Sequence, residues 1–142
     1  MPDSPEKQAQ IDALLNGEPV LARLATANPT TLQPHVTPVW FLWDGTSLWI
    51  SAFISTRKGK EIARNRKIAV LIEPKDPVSL QAVLMEGPCE FIEPPDERVP
   101  AMSLKIYERY VGAAHLTDQE RSWSVDPENR IIKLTPRRTF SW

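Results

Sequence analysis

At 142 residues the chain has the size of one domain, long enough to bury a core. Its 17 basic and 18 acidic residues give a net charge of -1, which supplies no general attraction to nucleic acid or to an anionic membrane, so any basic site is local. One cysteine excludes an internal disulfide, two histidines beside it leave no metal-ligand spacing, and no apolar run has signal-peptide or membrane-span length, so a cytoplasmic, metal-free protein is expected.

Fourteen prolines against five glycines predict many short segments rather than long helices. Asp3-Ser4-Pro5-Glu6 supplies a cap and a first-turn proline, Ile11, Leu14 and Leu15 make one apolar stripe, and Gly17 ends a short amphipathic helix. Residues 19–25 read as a first strand, followed by the turn Asn28-Pro29-Thr30-Thr31. A second strand, Pro34 to Trp43, turns at Asp44-Gly45 into a third, Thr46 to Ile54. Pro38 lies inside that second strand and cannot donate to a ladder, so it marks an edge or a bulge. Backbone groups freed there can bond a flat ring with polar edges, or the strand can be a twisted edge with nothing bound.

Ser55-Thr56-Arg57-Lys58-Gly59-Lys60-Glu61-Ile62-Ala63-Arg64-Asn65 predicts a helix capped by Ser55 or Thr56. Its charges are unusual, because Arg57, Lys58 and Lys60 stand in the first turn, where the macrodipole is already positive. Hydroxyl, guanidinium, ammonium and a glycine that permits close approach together describe an anion site, with phosphate as the guest; the other reading is a solvated basic turn. Lys67 to Glu73 reads as a strand buried on both faces, and Val78 to Glu93 as the longest strand, bent at Gly87-Pro88. A helix opened by Pro94-Pro95-Asp96-Glu97 carries Val99, Met102, Ile106 and Tyr110 on one face, read as core or subunit contact, and stops near Gly112. Thr117-Asp118-Gln119-Glu120 has the capping-box pattern, and Arg130 to Leu134 is the last strand. Six short strands and three peripheral helices predict a mainly β protein, a small antiparallel barrel.

No Ser-His-Asp order, glycine-rich phosphate loop or carboxylate pair is evident, so an enzyme of this kind would rely on a bound cofactor for its chemistry. His35 stands in the proline-flanked strand, either at a ligand edge or as a partly exposed strand residue, and His115 lies near a helix end. Trp40, Trp43 and Trp49 share one hairpin, where a core or an interface would use them.

Taken in order, Pro34-His35-Val36-Thr37-Pro38-Val39-Trp40-Phe41, Asp44-Gly45, Ser51-Ala52, Thr56-Arg57-Lys58, Glu86-Gly87 and the ending Pro136-Arg137-Arg138 to Trp142 resemble the flavin and deazaflavin oxidoreductases with the pyridoxamine-phosphate-oxidase-like split barrel. The resemblance covers residues 18–142, leaving 1–17 as an N-terminal helix, and is strongest to the F420-dependent branch, whose relatives bind F420 or FMN. It implies a six-stranded split barrel and a homodimer with FMN or F420 at the subunit interface. By that likeness Thr56, Arg57 and Lys58 would hold the cofactor phosphate. Pro34, His35, Val36, Thr37, Pro38 and Val39 would lie along the ring, Ser51 and Ala52 near the ribityl chain, and Arg138 and Trp142 at the rim. The implied activity is hydride transfer to or from a small organic substrate. Pyridoxamine phosphate is argued against, because the C-terminal segment lacks the Arg, His, Tyr and Ser set that its oxidases carry. The first turn also lacks the family's Asp-Gly. A carrier or sensor of flavin, haem or another tetrapyrrole is the rival reading, and an oligonucleotide-binding barrel ranks last because the aromatics do not follow a basic stripe.

Overall fold

The computed structural model describes residues 4–76, 78 and 81–142. Helix α1, Pro5–Asn16, is capped by Ser4, whose hydroxyl accepts from the Lys7 amide at 3.2 Å, and buries Ile11 and Leu15. Strands β1 (Ala22–Ala27), β2 (Pro34–Val39), β3 (Leu42–Trp43) and β4 (Leu48–Phe53) precede helix α2, Arg57–Arg64. Then follow β5 (Lys67–Ile72), β6 (Val83–Pro88), β7 (Glu90–Ile92), helix α3 (Arg98–Val111), a 3-10 turn at Ala113–His115, α4 (Asp118–Ser124), β8 (Asn129–Leu134) and β9 (Arg138–Ser141).

The strands pair into two antiparallel sheets, a five-stranded one in the order β2-β1-β5-β6-β9 and a four-stranded one in the order β3-β4-β8-β7. The mainly β class with peripheral helices is as expected, but the six-stranded barrel is not: nine strands form two sheets among the described residues, and two of the predicted strands each split between them. The predicted strand from Pro34 to Trp43 breaks at Trp40-Phe41, and the one from Val78 to Glu93 breaks at Cys89, whose amide bonds the Arg66 carbonyl at 2.8 Å. Part of the latter prediction, at 77, 79 and 80, lies outside the described residues. The edge reading of Pro38 holds, since β2 ends its sheet. The first strand begins later than predicted because Ala22–Ala27 is the segment in register with β2, Ala22 facing Val39 and Ala27 facing Pro34. β9 was missed: four residues, mostly polar, become a strand only because they complete the edge of β6, with Arg138 opposite Glu86.

Between the sheets lie Leu24, Phe41, Leu48, Ile50, Ile62, Val70, Ile72, Met85, Ile132 and Leu134. A second cluster, with Trp49, Ile92, Val99, Ile106, Tyr107 and Ile131, fills the gap between the four-stranded sheet and α3. Only one face of β5 is fully buried, through Ile68, Val70 and Ile72; Ala69 and Leu71 on the other are half-covered, so the apolar run is not a strand enclosed on both sides.

At the corner between β2 and β3 the Phe41 backbone leaves the ladders, and α3 satisfies it. Tyr110 Oη accepts from the Phe41 amide at 3.2 Å and donates to the Val20 carbonyl at 2.6 Å, while Arg109 donates to the Phe41 carbonyl at 3.0 Å and the Leu15 carbonyl at 2.9 Å. Trp40 stacks on Tyr110 with 4.8 Å between ring centroids. Replacing Tyr110 by Phe leaves a buried amide and a carbonyl without partners, so Tyr110→Phe is expected to lower stability by about 1–3 kcal/mol in urea denaturation, and an unchanged midpoint contradicts the clamp.

Candidate functional site

The turn from β4 into α2 is built around Thr56. Its hydroxyl donates to the Phe53 carbonyl at 2.6 Å and accepts from the Gly59 amide at 3.2 Å, closing the helix start. Gly59 does not provide room for an anion as expected. A side chain there would place its Cβ 2.3 Å from the Phe53 carbonyl oxygen, so the missing Cβ lets α2 lie against the end of β4. The Arg57 and Lys58 amides, first in the helix, have no intrahelical partner.

Arg57 and Lys58 diverge. The Arg57 Nε pairs with the buried Glu61 carboxylate at 3.1 Å, and the guanidinium borders a cavity of about 610 Å3 with Asn28, Gln33, Lys60 and Arg64. Lys58 points to the other side, into a cavity of about 380 Å3 lined by Pro38, Val39, Trp40, Ser51, Ala52, Thr56, Tyr107 and Trp123, together with Leu21, Phe53 and Ile106. Lys58 is half-buried, forms no ion pair or hydrogen bond among the described residues, and has its ammonium pushed below the usual lysine value by desolvation. An unpaired, partly desolvated cation beside free helix amides can receive an anion.

Six of the predicted residues, Pro38, Val39, Ser51, Ala52, Thr56 and Lys58, therefore share one cavity. His35, Val36 and Thr37 continue along β2 beyond its lining, with Val36 exposed. Pro34 and Arg138 border a different cavity of about 600 Å3 on the five-stranded sheet, with Ala69, Glu86 and Gly87. Trp142 is exposed next to β9, at the edge of that sheet opposite β2. Tyr107 and Trp123 were not anticipated. Ser103 and Tyr107, polar groups four residues apart on an otherwise apolar helix face, were the available signal. Tyr107 meets Trp40 and Trp123 edge-to-face at 6.3 and 6.1 Å, and its phenol is raised by burial against the lowering effect of Ser51 and Ser103.

Glu61 anchors α2 from below. It accepts from Thr26 Oγ1 at 2.7 Å, and this bond, with the Arg57 contact, outweighs burial and holds its carboxyl below the usual value. A depressed folded value stabilises the native state fully above the ordinary 4.5 and loses that contribution as the pH falls through the folded value. The stability advantage of the wild type over Glu61→Gln is accordingly expected to be full at about pH 7 and to shrink toward about pH 3 in acid denaturation series; a pH-independent difference contradicts the assignment.

The pyridoxamine 5'-phosphate oxidase family profile matches residues 8–142. No curated protein matches the chain. Among solved structures, the conserved hypothetical protein Rv2991 from Mycobacterium tuberculosis is 26% identical, with a TM-score of 0.78 over 100% of this chain and 86% of that one. An F420 reductase is likewise 26% identical, with a TM-score of 0.70 over 91% of this chain and 94% of its own. The general stress protein 26 from Bacillus anthracis, at 17% identity, shares the fold with a TM-score of 0.71 over 96% and 93%. With nearly its whole length matched and its fold common to these proteins, the chain belongs to the pyridoxamine 5'-phosphate oxidase family.

Proposed function

We propose that the protein is a flavin- or deazaflavin-dependent oxidoreductase that holds FMN or F420 in the cavity beside Lys58 and acts on a small organic substrate. The observation that carries this reading is Lys58 itself, a partly desolvated ammonium with no carboxylate partner among the described residues, at a helix start, in a cavity whose walls include Trp40, Tyr107 and Trp123. These groups fit a phosphate attached to an aromatic ring system: Lys58 and the free amides supply charge and hydrogen bonds, Thr56 caps the helix start that presents those amides, and the aromatic side chains exclude water. The likeness to an F420 reductase supports the deazaflavin branch, and the family supports FMN. The bound cofactor would supply the hydride chemistry.

The working form is proposed to be a homodimer. Arg138 and Trp142 stand at the sheet edge opposite β2, so the rim contribution that the family resemblance implies for them would come from a second copy. Exposed Phe140 and Trp142 beside Arg138 support that arrangement. Fluorescence titration with FMN and with F420, with light scattering on the same sample, tests both parts. Saturable binding of at least one cofactor to a dimer is expected, and Lys58→Ala is expected to weaken it by about 1–3 kcal/mol, more than Arg57→Ala does, because Arg57 is engaged by Glu61. Binding of neither cofactor, or affinity unchanged in Lys58→Ala, overturns the reading.

A further inference from the structure

The polar floor of the Lys58 cavity has its hydrogens assigned by geometry. The Asn129 side chain is fully buried, with Nδ2 3.2 Å from the Ser124 carbonyl oxygen and 2.9 Å from Ser103 Oγ. A carbonyl oxygen only accepts, so the amide nitrogen must face it, and both of the amide's hydrogens are taken. The amide oxygen then faces Ser51 Oγ at 2.9 Å and takes the single hydrogen that a serine hydroxyl owns. Ser51 Oγ, on the cavity wall, keeps only lone pairs for any other neighbour. Tyr107 Oη, 3.3 Å away, is consequently the donor of that pair, directing its hydrogen at Ser51.

Resting on the cofactor reading above, we infer that Ser51 meets the bound molecule as a hydrogen-bond acceptor, that Asn129 is the positioning residue that makes it one, and that the cavity selects a ligand carrying a hydroxyl or N–H donor in addition to its anionic group. An oxygen without hydrogen at this point would face a lone pair, while a chain hydroxyl would find a fixed acceptor. Lys58 and Ser51 thus ask for opposite things within one cavity, an anion at the helix start and a hydrogen-bond donor at the floor. A phosphorylated polyol chain satisfies both.

The test compares FMN with an analogue whose chain hydroxyls are replaced by fluorine, which keeps ring, phosphate and near-equal size but donates nothing. In fluorescence titrations the wild type is expected to bind FMN about tenfold or more tightly than the analogue, the size of one lost hydrogen bond to a half-buried acceptor. Ser51→Ala is expected to reduce that preference to less than about threefold. Asn129→Leu is expected to narrow it as well, because Ser51 regains a hydrogen to offer; should that variant not fold, the wild type and Ser51→Ala decide the matter alone. Equal binding of both compounds by the wild type, or a preference unchanged in Ser51→Ala, overturns this inference and leaves the cofactor reading standing. Binding of neither compound overturns this inference, and overturns the cofactor reading as well where F420 also fails to bind.

Discussion

The corner at Trp40-Phe41 is the constraint on which the rest of the structure depends. The chain must leave the five-stranded sheet there and enter the four-stranded one, and a backbone that leaves a ladder strands its N–H and C=O in the interior. Arg109 and Tyr110, adjacent on α3, supply the missing partners and at the same time bond the carbonyls of Leu15 and Val20, so one turn of helix holds α1, the lead into β1 and the corner together. The stacking of Trp40 on Tyr110 follows from that clamp and turns the indole into a wall of the Lys58 cavity. Fold and site are thus joined at the same residues.

Helix α2 is held at both ends of its charge problem. Three cations in a first turn are electrostatically unfavourable, and the helix has no acidic residue there to offset them. Glu61 compensates from the second turn: it takes the Arg57 charge on one oxygen and the Thr26 hydroxyl of β1 on the other, which ties the helix to the five-stranded sheet. Thr56 and Gly59 tie the same helix to the end of β4, in the four-stranded sheet. With Arg57 paired and Lys60 exposed, Lys58 is left as a cation turned inward without a partner among the described residues. A cation placed against the helix dipole does not serve the stability of α2, and it fits the ligand role proposed for Lys58.

Much of this was legible in the chain because it is written in local chemistry. The Ser4 cap, the Asp44-Gly45 turn, the Thr56 cap and the Thr117–Glu120 capping box all depend on neighbours within a few residues, and each forms where the residues place it. The edge position of Pro38 follows from its missing N–H. What was not legible is which way side chains face and which elements dock against them. Arg57 and Lys58 looked like one clamp, but consecutive helical residues point about 100 degrees apart, and Glu61 draws one of them away. Gly59 looked like an opening for a ligand and is a packing contact, because nothing local reveals that Phe53 lies against it. Tyr107, Trp123 and Asn129 come to the cavity or its floor from α3, α4 and β8, whose docking no short motif announces. The two-sheet division was hidden for the same reason: Trp40-Phe41 and Cys89 are continuous with their strands in pattern and are broken only by long-range pairing.

The central claim is that the inward-facing Lys58, and not the outward basic face of α2, receives the anionic group of the bound cofactor. Acetylation footprinting read by mass spectrometry tests it most directly, because Lys58 and Lys60 lie on the same helix and differ in which way they face. Saturating FMN or F420 is predicted to slow acetylation of Lys58 several-fold while leaving Lys60 unchanged. Lys58 modified equally fast with and without cofactor, or protection confined to Lys60, would contradict the account.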